Sequence, residues 1–190
     1  MFLRTQHFRL VVLGILSTVL LGACSTMEST TENKEPLHTV THVDIPKFMG
    51  DWYVIANIPT FVEEGATNAI ESYSWNEKEQ RIDVDFRYNK LTPEGELKKY
   101  PQKAWIYDKK TNAEWRVQPW WPLKFAYLVI DLAPDYSYTV IGVPSRKYVW
   151  IMARNSTLDK AVYQQILARL ENLGYDISKI QKVPQVWFKK

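Results

Sequence analysis

Arg81-Ile82-Asp83-Val84-Asp85-Phe86-Arg87-Tyr88-Asn89 is the stretch that decides the fold. Ile82, Val84, Phe86 and Tyr88 share one parity, and the charged or polar residues between them share the other. A period of two puts each set on its own face of an extended strand, one apolar and one wet. The pattern recurs downstream, at Ala104 with Ile106 and at Trp115 with Val117, while Glu114, Arg116 and Gln118 take the opposite parity. Turn signals at Asn76-Glu77-Lys78, Pro93-Glu94-Gly95, Asp108-Lys109-Lys110, Pro119 to Pro122, Pro134-Asp135 and Pro144-Ser145 punctuate these runs with the cadence of an antiparallel meander. Eight such strands fit between Trp52 and Arg154.

Composition agrees. The chain has 190 residues, enough for one ordinary domain or at most two small ones, and 46% hydrophobic with 24% charged is a globular composition that excludes collagen, coiled coil and wholesale disorder. Eight Trp, eleven Tyr and seven Phe against seven Gly favour strands over a helical bundle. One helix is expected near the C-terminus, where Leu158, Ala161, Val162, Ile166, Leu167, Leu170 and Leu173 form a stripe at helical spacing. Ser156 or Thr157 is placed to cap its start and Gly174 its end, and a short strand is expected between Ile177 and Val183. Eight meandering strands remove their edges by closing on themselves, so the expected fold is all-β: an eight-stranded up-and-down antiparallel barrel with one C-terminal helix packed outside.

The N-terminal residues read differently. Arg4 and Arg9 precede an unbroken apolar run from Leu10 to Leu21, too short to span a bilayer and of the right length for a secretory signal. Its end, Leu21-Gly22-Ala23-Cys24, resembles the cleavage site of bacterial lipoprotein signals. That resemblance implies a cleaved signal peptide over residues 1–23 and a lipidated N-terminus at Cys24. Ser25 after it implies the outer membrane, with the protein facing the periplasm. Cys24 is the only cysteine, so an exported chain forms no internal disulfide. Two or more acyl chains there would anchor the protein to the membrane stably. From Ser25 to about Val43 the chain is Ser, Thr, Glu and Lys with few large apolar residues, so residues 24–43 are expected to be a flexible tether and residues 44–190 the folded domain. His38 and His42 lie in that tether without further ligands beside them, so no metal site is expected. Loss of Arg4 and Arg9 with the signal takes the formal charge from +3 to +1, and no basic run interleaved with aromatics remains to hold a nucleic acid.

Gly50-Asp51-Trp52-Tyr53 at the start of the first strand resembles the G-x-W signature of lipocalins, and Ile151-Met152-Ala153-Arg154 before the terminal helix resembles their last-strand arginine. Asp135-Tyr136 and the strand from Tyr138 to Val143 loosely match the middle motif, whose usual Thr is absent. The resemblance covers about Phe48 to Trp187 and, with the lipoprotein signal, is closest to bacterial outer-membrane lipocalins, which bind fatty acids or lysophospholipids. It implies that Gly50, Trp52 and Arg154 are structural, with Arg154 stacked across Trp52 at a closed floor.

Parity then places side chains. With Arg154 at the floor, Met152, Trp150 and Tyr148 point into the barrel, and so do Val54, Ala56 and Ile58 above Trp52. Ile82, Val84, Phe86, Ala104, Ile106, Trp115 and Val117 complete the wall, joined by Tyr127 and, from the first loop, Phe61. Such a wall suits an acyl chain, and the implied function is to store or transport a small hydrophobic ligand such as a fatty acid or lysophospholipid in the cell envelope, with no cofactor. Two alternatives stand beside it. One is a structural envelope module whose side chains fill the interior. The other is a lipid-modifying enzyme; triad, zinc and thiol chemistries lack their parts, which leaves an Asp/Glu/Ser site as its only route. A homodimer is left open. At the mouth, Phe61-Val62 and Pro119-Trp120-Trp121-Pro122 place large aromatics in two loops, either to touch a membrane or to fold inward as a lid.

Overall fold

The computed structural model describes residues 35–187. The alternating stretch forms β3 (Arg81–Lys90), and every second residue of it is buried. Around it stand β1 (Gly50–Ile58), β2 (Ala66–Asn76), β4 (Leu97–Ile106), β5 (Glu114–Gln118), β6 (Phe125–Leu132), β7 (Tyr138–Gly142) and β8 (Val149–Ala153), each antiparallel to the next. Pairing of β1 with both β2 and β8 closes the sheet, so the protein is a closed eight-stranded antiparallel barrel with no free edge among these strands. The helix α2 (Lys160–Asn172) packs outside, followed by a single 3-10 turn at Ile177–Lys179 and the two-residue strand β9 (Gln181–Lys182), which pairs with β1.

Two apolar layers result. The inner one holds Trp52, Val54, Tyr73, Ile82, Val84, Phe86, Trp115 and Met152 within the barrel. The outer one, between wall and helix, holds Val149 and Ile151 from β8 against Tyr163, Ile166 and Leu170. The alternation of β8 between the two layers is what a strand covered on both sides requires. On β1 that alternation breaks. The register slips between Val54 and Ala56, so Ala56 and Ile58, expected inside, join the layer under the helix. A bulge adds one residue and reverses parity beyond it, and Asn57 is buried in their place.

The helix starts two residues later than its apolar stripe suggests. Asp159, not Ser156 or Thr157, accepts from the amides of Ala161 and Val162. Gly174, with φ of +81°, ends it as expected. Arg169 reaches across to Asp131 on β6 at 2.6 Å.

At the N-terminal end, the last part of the stretch expected to be tether belongs to the fold. The Val43 side chain is fully buried and its amide donates to Thr111 O at 2.8 Å, the Val40 amide donates to Val129 O at 2.9 Å, and Leu37 packs against the layer under the helix. Three apolar residues spaced by polar ones are enough to dock a strap that composition alone assigns to solvent. His38 and His42 are exposed on this strap. Cys24 and the signal residues 1–23 lie outside the described residues.

Candidate ligand-binding cavity

The floor is built first. The single-turn helix α1 (Ile45–Phe48), capped by Asp44, slides the Phe48 ring under the barrel, 5.1 Å from the Trp52 ring and 5.1 Å from the Trp115 ring. Trp52 donates from Nε1 to Phe48 O at 2.8 Å. The Arg154 guanidinium lies 3.7 Å from the Trp52 ring centre and donates to the carbonyls of Asp51, Lys47, Phe48 and Met49 at 2.7–3.0 Å. Gly50 is needed here: its φ is +97°, and a Cβ would come within 3.4 Å of Arg154 Nη1. This is the arrangement expected for Gly50, Trp52 and Arg154.

Above the floor the barrel holds a cavity of about 740 Å³. Of the fifteen side chains expected inward, seven line it: Phe61, Val84, Phe86, Val117, Tyr127, Tyr148 and Trp150. Ala56 and Ile58 face the helix, Val54 is packed core, and five more do not reach the cavity. Ile82, Ala104, Trp115 and Met152 are fully buried lower down, and Ile106 packs against the same core. Their parity is inward as expected, but Phe48, Trp52 and Tyr73 fill the barrel at that level, so the lowest inward layer is packed core and not wall. The first and fifth loops rim the mouth through Phe61 and Trp120, whose rings lie 6.4 Å apart. Tyr100, Phe125 and the exposed Lys99 join the lining from β4 and β6.

One wall is polar, and parity reasoning on the clean strands missed it. Glu71, on β2, lines the cavity and is almost fully buried. Its Oε2 accepts from Tyr73 Oη and, at 3.2 Å, from Tyr127 Oη; the two phenol oxygens also lie against each other, and with one proton each the phenols fill two of these three contacts at a time. Burial pushes the Glu71 carboxyl up to about 7, with Glu63 adding to the rise and the two tyrosine hydroxyls opposing it. Burial also holds both phenols well above their ordinary value, so they remain donors. Glu63, from the first loop, is equally hidden. It accepts from Thr60 N at 2.8 Å, Thr60 Oγ1 at 2.6 Å, Trp150 Nε1 at 2.6 Å and Asn57 Nδ2 at 3.5 Å. The signal for Glu71 was in the sequence: Glu71, Tyr73 and Trp75 share a parity on β2, a lone acid among aromatics on an inward face. Among the described residues no group of three His, Cys, Asp or Glu side chains is arranged to hold a metal.

Residues 43–185 match the family model of the lipocalin-like domain. The chain is 31% identical over 164 residues to temperature-induced lipocalin-1 of Arabidopsis thaliana, covering 82% of this chain and 86% of that one. It is 28% identical over 181 residues to the outer membrane lipoprotein Blc of Citrobacter freundii, covering 95% and 96%. Among solved structures, insecticyanin from the tobacco hornworm Manduca sexta superposes with a TM-score of 0.61 at 19% identity, covering 82% of this chain and 86% of that one. Sequence, barrel, floor and cavity agree: the chain belongs to the lipocalin family and resembles its bacterial, outer-membrane lipoprotein type.

Proposed function

We propose that this protein takes up a single-tailed amphiphile, a fatty acid or lysophospholipid, and stores or transports it in the cell envelope while anchored to the outer membrane, on its periplasmic face, through lipid on Cys24. The observation that carries the reading is the cavity. Its volume of about 740 Å³ falls within the roughly 300–1,000 Å³ typical of small-molecule sites. Val84, Phe86 and Val117 offer an acyl chain an apolar bed, and the space they border weighs against a filled structural module. For a fatty acid, the tail enters and the carboxylate stays near Lys99, away from Glu63 and Glu71, because like charges at close range repel. The Blc relatives, named outer membrane lipoproteins, support the anchor and the location.

Native mass spectrometry of the gently purified protein tests the ligand, with one single-tailed lipid mass per chain expected. Apo protein that also fails to bind a fluorescent fatty acid would refute the reading. For the anchor, Cys24→Ser is expected to release the protein from the membrane fraction or leave it unprocessed, and mature acylated protein in that variant would overturn it.

A further inference from the structure

The polar wall does more than a pocket for a fatty tail requires. Glu63 and Glu71 are both more than nine-tenths buried, and both border the cavity. All the donors they receive are neutral: two phenols on Glu71, and an amide, a hydroxyl, an indole and a carboxamide on Glu63. Neither takes part in an ion pair among the described residues. Among the described residues, Lys99 is the only basic one in the lining, and it is exposed. Glu71 uses only Oε2, so Oε1 of a buried carboxylate on the cavity wall makes no hydrogen bond among the described residues. A buried carboxylate ordinarily has a cation or a full set of donors, and this one has neither.

The two acids are also joined. The rings of Tyr127 and Trp150 are stacked at 6.2 Å between centres; Tyr127 holds Glu71 through its hydroxyl, and Trp150 holds Glu63 through its indole N–H. The Tyr148 ring continues the row 6.3 Å beyond Trp150. Carboxylates set among aromatic rings in a desolvated pocket form the environment that favours an alkylammonium group, which takes ion pairing from the acids and attraction from the ring quadrupoles without needing to be stripped of many strong hydrogen bonds.

We infer that the wall formed by Glu63, Glu71, Tyr127 and Trp150 is a cation-recognition site, and that the cavity takes hydrophobic alkylammonium compounds with the head at these acids and rings and the tail against the apolar lining of Phe86 and Val117. The inference rests on the cavity being a ligand site, but it places the head group at the acids from which a fatty acid's carboxylate is kept away, and adds a ligand class which that reading does not contain. It also accounts for two buried acids on the cavity wall, which burying a tail there does not. The groups facing Glu71 are Tyr73 on its own strand, Tyr127 from β6 and Glu63 from the first loop; its paired neighbours on β1 and β3, Trp52 and Phe86, carry no charge. Ionisation of Glu71 therefore governs the charge of this wall near neutrality.

Three ligands with one tail and different heads decide it: dodecyltrimethylammonium, dodecanol and dodecanoate, titrated below their micelle-forming concentrations against the purified protein by displacement of a fluorescent fatty acid. At pH 8 the ammonium is expected to bind about tenfold or more tighter than the alcohol. Because its charge is permanent, its advantage over the alcohol should grow from pH 5 to pH 8 as Glu71 ionises, and this measurement needs no variant. In Glu71→Gln and in Glu63→Gln the ratio should fall toward one. An ammonium that binds no better than the alcohol, a ratio flat with pH, or a preference that survives both substitutions would overturn the inference. If the alcohol and the carboxylate bind while the ammonium shows no advantage, the lipid-binding reading stands and this one falls. If none of the three binds, the cavity reading fails with it.

Discussion

The floor and the polar wall of the barrel each set a charged side chain against aromatic rings, half-buried at the floor and buried at the wall, and they treat it in opposite ways. At the floor, the Arg154 guanidinium faces the Trp52 ring and four carbonyls that the chain supplies between Lys47 and Asp51. At the wall, Glu71 receives two phenols on one oxygen and no cation. A buried charge whose donors or acceptors are all met by the protein rigidifies the fold, whereas one left partly unmet raises the energy of the empty protein and is available to something that enters. The first cluster accordingly reads as architecture and the second as a site.

The largest effect is expected where the contrast is sharpest. Trp52→Ala removes a fully buried ring that contacts Phe48 and Arg154, and should cost about 3–5 kcal/mol in denaturant unfolding. Arg154→Ala should cost less, since the side chain is only half-buried and water can reach the carbonyls it leaves. The double variant should lose less than the sum of the two, because the groups touch. Strict additivity would mean that the cation–π contact contributes nothing and that the floor is not a single cluster.

The wall should respond in the opposite sense. The Glu71 carboxyl is raised from 4.5 to about 7 by burial, so the folded state keeps a proton that the unfolded chain loses as pH climbs through that window. Stability from this group is full below about 4.5, falls as pH rises to about 7 and is level above it, a loss of about 3 kcal/mol. Glu71→Gln should therefore match its parent near pH 4.5 and become progressively more stable than it up to pH 7, read as the difference between two melting series. A constant difference across that range would mean that Glu71 is not the group that titrates there.

The same contrast explains what could be read beforehand. The parity of β3 and of β8 was legible because each has one apolar face or a neighbour on both sides, so Val84, Phe86, Trp150 and Tyr148 are where alternation puts them. The bulge at Ile55 was not legible, since nothing in Val54-Ile55-Ala56 marks an extra residue, and it turned Ala56 and Ile58 to the helix. How high the floor rises was equally hidden. It depends on Phe48 entering from α1, a long-range packing event that moved Trp115 and Met152 from wall to core. Glu71 was overlooked because an acid on an inward parity reads as a break in the strand pattern; such a break is where a functional group is to be sought.

A smaller effect tests the outer layer, which belongs with the floor as architecture. Asp159→Ala removes the side chain that accepts from Ala161 N at 2.8 Å and Val162 N at 3.0 Å, and should lower stability by about 1 kcal/mol. Fatty-acid affinity should be unaffected, as α2 contributes nothing to the cavity lining. A change in affinity would show that the helix and the interior are coupled through β8.

The smallest effect on stability, and the one that extends the contrast to the mouth, concerns Trp120 and Trp121. Neither the floor's closed packing nor the wall's unmet charge describes them. Trp121 is 83% exposed and does not line the cavity, whereas Trp120, 48% exposed, both borders the cavity and meets the Phe61 ring. With Leu123 and Phe125 also exposed nearby in sequence, this rim presents more apolar surface than solvent loops normally carry. A lid would bury its rings over the opening. Trp121 does not do so, and tryptophan is a residue that favours the interface of a bilayer. Replacing both with Ser should change unfolding free energy by no more than about 0.5 kcal/mol, because exposed side chains have little packing to lose. It should slow uptake of a fluorescent fatty acid from vesicles while leaving affinity for the dissolved monomer nearly intact. Equal loss in both assays would make the pair a lid after all, and loss in neither would return the rim to plain surface, leaving the wall as the only part of the cavity whose chemistry selects a ligand.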